Sequence, residues 1–236
     1  MKKSVIVPVY NEEGNIGNLI LKIKTFLNNN DELIIVNDGS TDKTLNEIQN
    51  QKCILINLNK NMGKGYAMRK GIESAQGDYI VFMGGDGQDD PSEIKLLIDE
   101  ISNGYDYVIG SRFLNFDKSN NRFSEKAVLP VNEFGNKSIT FLINLLFNKN
   151  ITDSQSEFKC FKAAKLKELN LECNRFEIET ELLIKSFRKE FRIKEVPVHR
   201  YERKHGISKL FNVPFGRFLF GLKVLRTIIK GYLIWK

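Results

Sequence analysis

Three times within the first ninety residues, an apolar run stops abruptly at a cluster of acids. Val5-Ile6-Val7-Pro8-Val9-Tyr10 meets Asn11-Glu12-Glu13, and Leu33-Ile34-Ile35-Val36 meets Asn37-Asp38-Gly39-Ser40-Thr41-Asp42. Tyr79-Ile80-Val81-Phe82-Met83 meets Gly84-Gly85-Asp86-Gly87-Gln88-Asp89-Asp90-Pro91. Apolar runs of this length, bounded by turn residues, read as strands buried on both faces of a parallel sheet. Ligands of open α/β sheets lie outside the carboxyl ends of such strands. Three acidic strand ends at one sheet edge therefore mark a place for hydroxyl groups and a divalent cation, the two demands of a sugar nucleotide.

Helical periodicity fills the intervals. Ile16, Leu19, Ile20, Ile23 and Leu27 recur at helical spacing. Ser40 or Thr41 can cap a helix through about Gln49, with Asp42 in its first turn. Cys53–Ile56 reads as a short strand, and the glycine-rich Asn61-Met62-Gly63-Lys64-Gly65 leads into a helix through Ala75. Pro91 opens a helix to about Ser102, and Tyr107–Gly110 is a further strand. Residues 112–130 read as a long mobile loop, of the kind that often forms a lid. Beyond it the pattern predicts a helix over 134–147, a short strand over 157–162, a helix over 176–190 and a last strand over 191–198. Strands alternating with helices predict an α/β fold with a mostly parallel sheet.

A length of 236 residues suits one domain, or one domain with an appendage, and the break falls between a domain over 1–210 and a tail over 211–236. The charge is uneven. Of the net +7, the segment from His199 to Lys236 holds nine basic residues against Glu202 alone, a surplus of eight that leaves residues 1–198 at −1. That disfavours nucleic-acid binding by the domain and favours a local anionic partner. Lys223, Arg226 and Lys230 share one helical face of the tail, while Phe218, Leu219, Leu222, Leu225 and Ile229 lie largely on the other. The tail reads either as a helix lying in a membrane interface or as one packed on the domain or pairing two subunits. Cys53, Cys160 and Cys173 are too few and too scattered for a metal site and read as reduced thiols in a cytosolic setting. There is no secretory signal and no charge-free apolar run of the roughly 18 residues that a spanning helix needs.

Six segments, in this order, resemble the family-2 inverting glycosyltransferases of the GT-A fold, and among them the polyprenyl-phosphate and dolichyl-phosphate mannosyl- and glucosyltransferases. They are Pro8-Val9-Tyr10-Asn11-Glu12-Glu13, Asn37–Asp42, Asn61–Gly65, Asp86-Gly87-Gln88-Asp89-Asp90-Pro91, Gly110-Ser111-Arg112-Phe113, and Arg203 with Ser208-Lys209. The resemblance runs from Val5 to about Leu210 and implies a Rossmann-like GT-A domain followed by the amphipathic tail.

By that resemblance Pro8, Tyr10, Glu12 and Asp38 hold the nucleoside, Gly63 and Lys64 lie against phosphate, and Asp86 contacts the nucleotide. Asp86 and Gln88 match the part of an Asp-x-Asp-x-Gln motif that binds Mg²⁺ or Mn²⁺. Arg112, Arg203 and Lys209 form the anionic end of the site, to which Arg122 or Lys126 could add a cation. Asp153, opening Asp-Ser-Gln-Ser-Glu-Phe-Lys, resembles the start of the acceptor segment. Two positions depart from the pattern: Gly84 stands where the first motif carboxylate is expected, and Glu157 stands where glycine is usual. Plainer readings remain open at this level. Asp38-Gly39 is a common turn, Gly63-Lys64-Gly65 could be a surface turn, and Asp86, Asp89 and Asp90 could be solvated residues opening a helix. Arg203 and Lys209 could be membrane-facing charge, and Asp153 a turn carboxylate. His199 and His205 lack metal-ligand spacing.

The implied activity moves a hexose, with inversion, from a nucleotide-diphospho-sugar to a polyprenyl phosphate at the cytoplasmic face of a membrane. A homo-oligomer is also allowed. The rivals are an enzyme of the same family using a glycan or lipid hydroxyl, which needs Asp153 as base, and a sugar-nucleotide-binding protein without catalysis.

Overall fold

The structure, a computed structural model, describes residues 1–114, 130–206 and 216–235. Lys209, Arg122, Lys126, most of the expected lid and the start of the tail lie outside the described residues.

Strand β1 (Lys3–Val9) pairs in parallel with β2 (Glu32–Asn37) and β4 (Tyr79–Phe82), and β3 (Ile54–Asn57) extends the sheet beyond β2. On the other side β6 (Lys159–Lys162) runs antiparallel between β4 and β5 (Tyr107–Ser111), and β7 (Ile193–Pro197) closes the edge parallel to β5. The order is β3-β2-β1-β4-β6-β5-β7. Successive side chains alternate between faces, and here both faces are apolar. Ile6, Ile34, Ile80 and Phe82 join one core cluster, while Val5, Val7, Ile35 and Val81 join the other. That is why the strands read as unbroken apolar runs.

The first cluster is covered by α3 (Lys64–Ser74), α6 (Ala163–Lys167), α7 (Ile178–Arg188) and α8 (Gly216–Leu233), and the second by α1 (Ile16–Lys24) and α4 (Ile94–Ser102). Helix α2 (Thr44–Gln49) follows β2, and α5 (Pro130–Phe147) precedes the acceptor-like segment.

Several boundaries differ from expectation. Asp42, rather than Ser40 or Thr41, accepts from the first helical amide, Thr44 N, at 3.0 Å, because Ser40 is already committed to Asn37 and Asn11. Pro91 opens a single 3-10 turn, Pro91–Glu93, stabilised by Asp90 accepting from Ser92 N at 2.9 Å, before α4 begins. Helix α5 starts at Pro130, inside the stretch read as loop, and α6 was not anticipated.

The described part of the tail packs on the domain. Val224 and Ile228 are buried in the core, Arg188 Nε donates to Gly231 O at 3.1 Å, and Lys230 pairs with Glu172 at 2.6 Å. Phe218, Leu219, Leu222, Leu225 and Ile229 face outward and are exposed. Helix α8 thus has one packed face and one open apolar face. Among the described residues no helix is long and apolar enough to cross a membrane.

Candidate active site

Each acid tip has its own local cause. Beyond β1 the chain turns through Asn11, whose φ of 53° is left-handed, an arrangement asparagine tolerates. The turn places Glu12 over Thr44, whose hydroxyl accepts from Glu12 N at 2.7 Å. Beyond β2, Asp38 N donates to Val9 O at 2.8 Å, tying the first two tips together. Asp38 is buried, and its two oxygens accept from Met62 N at 2.7 Å and Gly63 N at 2.9 Å. Asp38 therefore anchors the glycine-rich loop, and each oxygen keeps a second lone pair for a nucleoside donor. Burial raises its pKa above the ordinary carboxylate value, the two amides offsetting only part of that. Gly63 has φ 101°, and a Cβ there would lie 2.4 Å from Asn174 O, so both conformation and space demand glycine. Pro8 sits within β1 opposite Val36, and Tyr10 follows at the strand's end, both half-buried.

Lys64 is drawn inward. Its ammonium lies 3.2 Å from Glu157 and 2.6 Å from Glu179, and Glu179 also pairs with buried Lys159. The Glu179 contact is an ion pair by distance but lacks hydrogen-bond alignment. In this structure the Lys64 charge is met by those two carboxylates.

At the third tip Asp86 meets two arginines. Its Oδ2 accepts from Arg203 Nη2 at 2.9 Å and from Arg200 Nη2 at 3.4 Å. Arg203 also spans to Glu12, with Nη1 at 3.1 and 3.0 Å from its two oxygens. Arg203 is thus a bridge between the first and third tips. Glu12, further held by Asn15 Nδ2 at 3.0 Å, has its pKa raised by burial, which Arg203 counters only in part. Arg200 donates to Asp89 at 2.7 Å and to Gln88 Oε1 at 3.1 Å. Gln88 and Tyr201 exchange two further bonds, each of 2.8 Å. Residues 199–205 are thereby strapped across the acid tips, with His205 O accepting from Asn15 at 3.0 Å. His199 lies against Glu93, away from any metal role.

The fourth element of the site lies at the end of β5. Arg112 grips Asp153 through Nε at 2.7 Å, Nη2 at 2.8 Å and its own backbone N at 3.1 Å. Asp153 is 1% exposed. Burial alone would raise its pKa, but the Arg112 guanidinium outweighs that and holds the carboxyl below its usual range. A carboxylate so saturated and so acidic is poorly suited to remove a proton.

The structure brings Glu12, Asp86, Gln88 and Arg203 into contact, and it pairs Arg112 with Asp153, two residues with separate places in the sequence reading. Arg200 carried no site role in the sequence, Asp89 read only as a residue opening a helix, and Glu157 only as a departure. The one available signal was the repeated basic spacing in His199-Arg200-Tyr201-Glu202-Arg203 after the last strand, which was counted as tail charge.

Asp86 and Gln88 present the oxygen donors that Mg²⁺ and Mn²⁺ prefer. Among the described residues no set of three His, Cys, Asp or Glu side chains could hold a metal unaided. A cation here would take the rest of its shell from water and donor phosphates, which is how Mg²⁺ is commonly held. The residues fit a substrate-bridged ion.

The sequence pattern described as "Glycosyl transferase family 2" matches residues 4–169. The chain belongs to that family and is a glycosyltransferase. It is 32% identical over 235 residues to the UDP-N-acetylglucosamine–dolichyl-phosphate N-acetylglucosaminyltransferase of Methanococcus voltae, covering 90% of each chain. It is also 32% identical to the dolichol-phosphate mannosyltransferase of Pyrococcus furiosus, over 89% of this chain but 59% of that longer protein. Among solved structures, glucosyl-3-phosphoglycerate synthase of Mycobacterium tuberculosis in complex with Mn²⁺, uridine diphosphate and glucosyl-3-phosphoglycerate superposes with a TM-score of 0.75 at 19% identity. The alignment covers 98% of this chain and 79% of that one, a likeness of fold alone.

Proposed function

We propose that this protein transfers a hexose from a nucleotide-diphospho-sugar of the GDP-mannose or UDP-glucose type to a polyprenyl or dolichyl phosphate, with inversion and with a divalent cation. The observation that carries this reading is the saturation of Asp153 by Arg112. A hydroxyl acceptor needs a base, and the carboxylate expected to serve is held as the anion by three bonds from Arg112. A phosphate acceptor brings its own negative charge and needs cations instead. The relatives named for dolichyl-phosphate acceptors support the same choice.

In this reading Asp38 and Glu12 bind the nucleoside, with Pro8 and Tyr10 lining its place. The acceptor phosphate oxygen attacks the anomeric carbon in line as the bond from that carbon to the nucleoside diphosphate breaks, the bonding electron pair leaving on the diphosphate oxygen. Arg203 and Arg200 lie at the acid tips where two anionic groups must be brought together, and Arg112 with Asp153 sets the floor beside them. When bound, Mg²⁺ or Mn²⁺ held by Asp86 and Gln88 supplies positive charge to the leaving diphosphate. Lys209, outside the described residues, is expected from the resemblance to add a cation.

The outward apolar face of α8, with exposed Lys223 and Arg226 beside it, supports peripheral attachment to a membrane surface, where the lipid acceptor would be met; the cytoplasmic face is part of the same proposal. Attachment and catalysis would share one packed unit, since Val224 and Ile228 on the other face of α8 lie in the domain's core.

The test is to incubate the protein with dolichyl or undecaprenyl phosphate, Mn²⁺ and radiolabelled GDP-mannose, UDP-glucose or UDP-N-acetylglucosamine. A metal-dependent, organic-extractable labelled product is expected with one donor. Nucleotide binding without product from any donor would leave a binding protein, and label moving only onto a hydroxyl acceptor would favour the other enzyme class.

A further inference from the structure

The two positions that depart from the family pattern stand against each other. Gly84 does not serve a left-handed turn, since its φ is not positive. A side chain there would instead meet the ends of other side chains. A Cβ there would lie 2.8 Å from Glu157 Oε2, 3.3 Å from Asp86 Oδ1 and 3.4 Å from Asp89 Oδ2. Three carboxylate oxygens face the one point that a side chain at 84 would fill.

The strand register explains the meeting. β4 and β6 are antiparallel, with Val81 opposite Cys160 and Phe82 opposite Lys159. Continued two residues further, that register sets 84 against 157. Directly opposed residues of an antiparallel pair have Cβ atoms about 5 Å apart, within reach of a glutamate side chain. Glu157 is also held from behind, its Oε1 lying 3.2 Å from Lys64, whose ammonium is 2.6 Å from Glu179. Burial raises the pKa of Glu157, but Lys64, Arg200 and Arg112 outweigh it and keep the group ionised.

We infer that Glu157 brings to the cation-and-diphosphate edge, from across the β4–β6 pair, the carboxylate that a side chain at position 84 would otherwise supply, so that Gly84 and Glu157 act as one reciprocal unit. The inference rests on the nucleotide-sugar reading above. It makes Glu157 a binding residue for the cation-bound donor rather than only a clamp for Lys64, and it makes a side chain at 84 a competitor for the point that the Glu157 carboxylate reaches.

Isothermal titration of the full chain with UDP and with GDP, each with and without Mn²⁺, tests this, alongside electron paramagnetic resonance of bound Mn²⁺ and thermal melting. The variants are Glu157→Gln, charge-keeping Glu157→Asp, Gly84→Asp, and Gly84→Asp with Glu157→Gly. Glu157→Gln is expected to weaken Mn²⁺-dependent nucleotide binding by about tenfold or more while Mn²⁺-free binding holds, and Glu157→Asp to lose less. Gly84→Asp, which crowds a second carboxylate onto Glu157, should lose comparably, and the double variant should recover most of the loss. Unchanged Mn²⁺-dependent affinity in Glu157→Gln, even with a lower melting temperature, overturns the inference alone. A double variant no better than the worse single one does the same. Failure of the unmodified chain to bind either nucleotide overturns the nucleotide-sugar reading and this inference with it.

Discussion

Two of the carboxylate–arginine contacts in the site have opposite character. At the end of β5, Asp153 has one guanidinium to itself, in a two-pronged grip, with the side chain 0% exposed. At the tips of β1 and β4, one guanidinium is divided between Glu12 and Asp86, and its side chain keeps 17% exposure. The undivided pair has no lone contact to trade, so it behaves as framework. The divided one holds two acids from different strands with a cation that a substrate-bound metal could replace. The same residue types thus build a fixed support on one side and an exchangeable charge site on the other.

Removing one member of the undivided pair should have the largest effect. Asp153→Asn leaves Arg112 buried without its counter-ion, and a loss of about 3–5 kcal/mol in unfolding free energy is expected. Denaturant titration measures it, and a loss below about 1 kcal/mol would mean the pair is not framework. The pH dependence sharpens the point. Asp153 has a folded pKa below its unfolded value, so its stabilisation is present above the ordinary aspartate range and is lost as pH falls through the depressed value. The acid limb of unfolding should therefore flatten in Asp153→Asn.

Breaking the divided contact should cost less and be repairable. Arg203→Met takes its guanidinium from Glu12 and leaves Asp86 with only the longer 3.4 Å contact to Arg200, at about 1.5–3 kcal/mol. Millimolar Mn²⁺ with nucleotide should restore part of the melting temperature, because a ligand that binds only the folded state stabilises it. Equal failure of Mn²⁺ to rescue Arg203→Met and Asp153→Asn would erase the distinction drawn between the two sites.

Glu12 provides a smaller contrast, and one of sign. Its folded pKa is raised, so its contribution is favourable below the unfolded glutamate pKa and is lost as pH rises through the folded value. Glu12→Gln should hold or raise the melting temperature at neutral pH while weakening nucleotide binding. A clear drop in melting temperature would show that Arg203 matters more to Glu12 than burial does. The smallest stability effect belongs to the outward face of α8, where Leu225→Glu should change unfolding by no more than about 0.5 kcal/mol. It should nevertheless reduce sedimentation with anionic vesicles, and unchanged sedimentation would remove the helix from the membrane reading. This substitution is cleaner than deleting the tail, since Val224 and Ile228 are part of the core.

The parallel half of the sheet was legible because each strand is apolar on both faces and ends at turn chemistry. The acid tips were legible because an acid cluster after a buried strand has few other places to go. Boundaries that depend on competition were not. Ser40 was a good cap by composition, but Asn37 and Asn11 took its hydroxyl, and the helix starts after Lys43, without a side-chain cap, while Asp42 holds the Thr44 amide. Nor could the two ion pairs of Lys64 be read, since Glu157 and Glu179 lie far along the chain.

What the linear chain determined by itself was the class of fold, the family and the roster of acids and cations at one sheet edge, because periodicity, strand ends and motif order are local properties. Which cation meets which acid was decided only by the tertiary structure. The antiparallel insertion of β6 sets Glu157 opposite Gly84, and the strap over 199–205 carries Arg200 and Arg203 back onto strands more than a hundred residues earlier. Charge pairing is long-range in sequence and short-range in space, so residues that seemed missing from one strand were found on its neighbour.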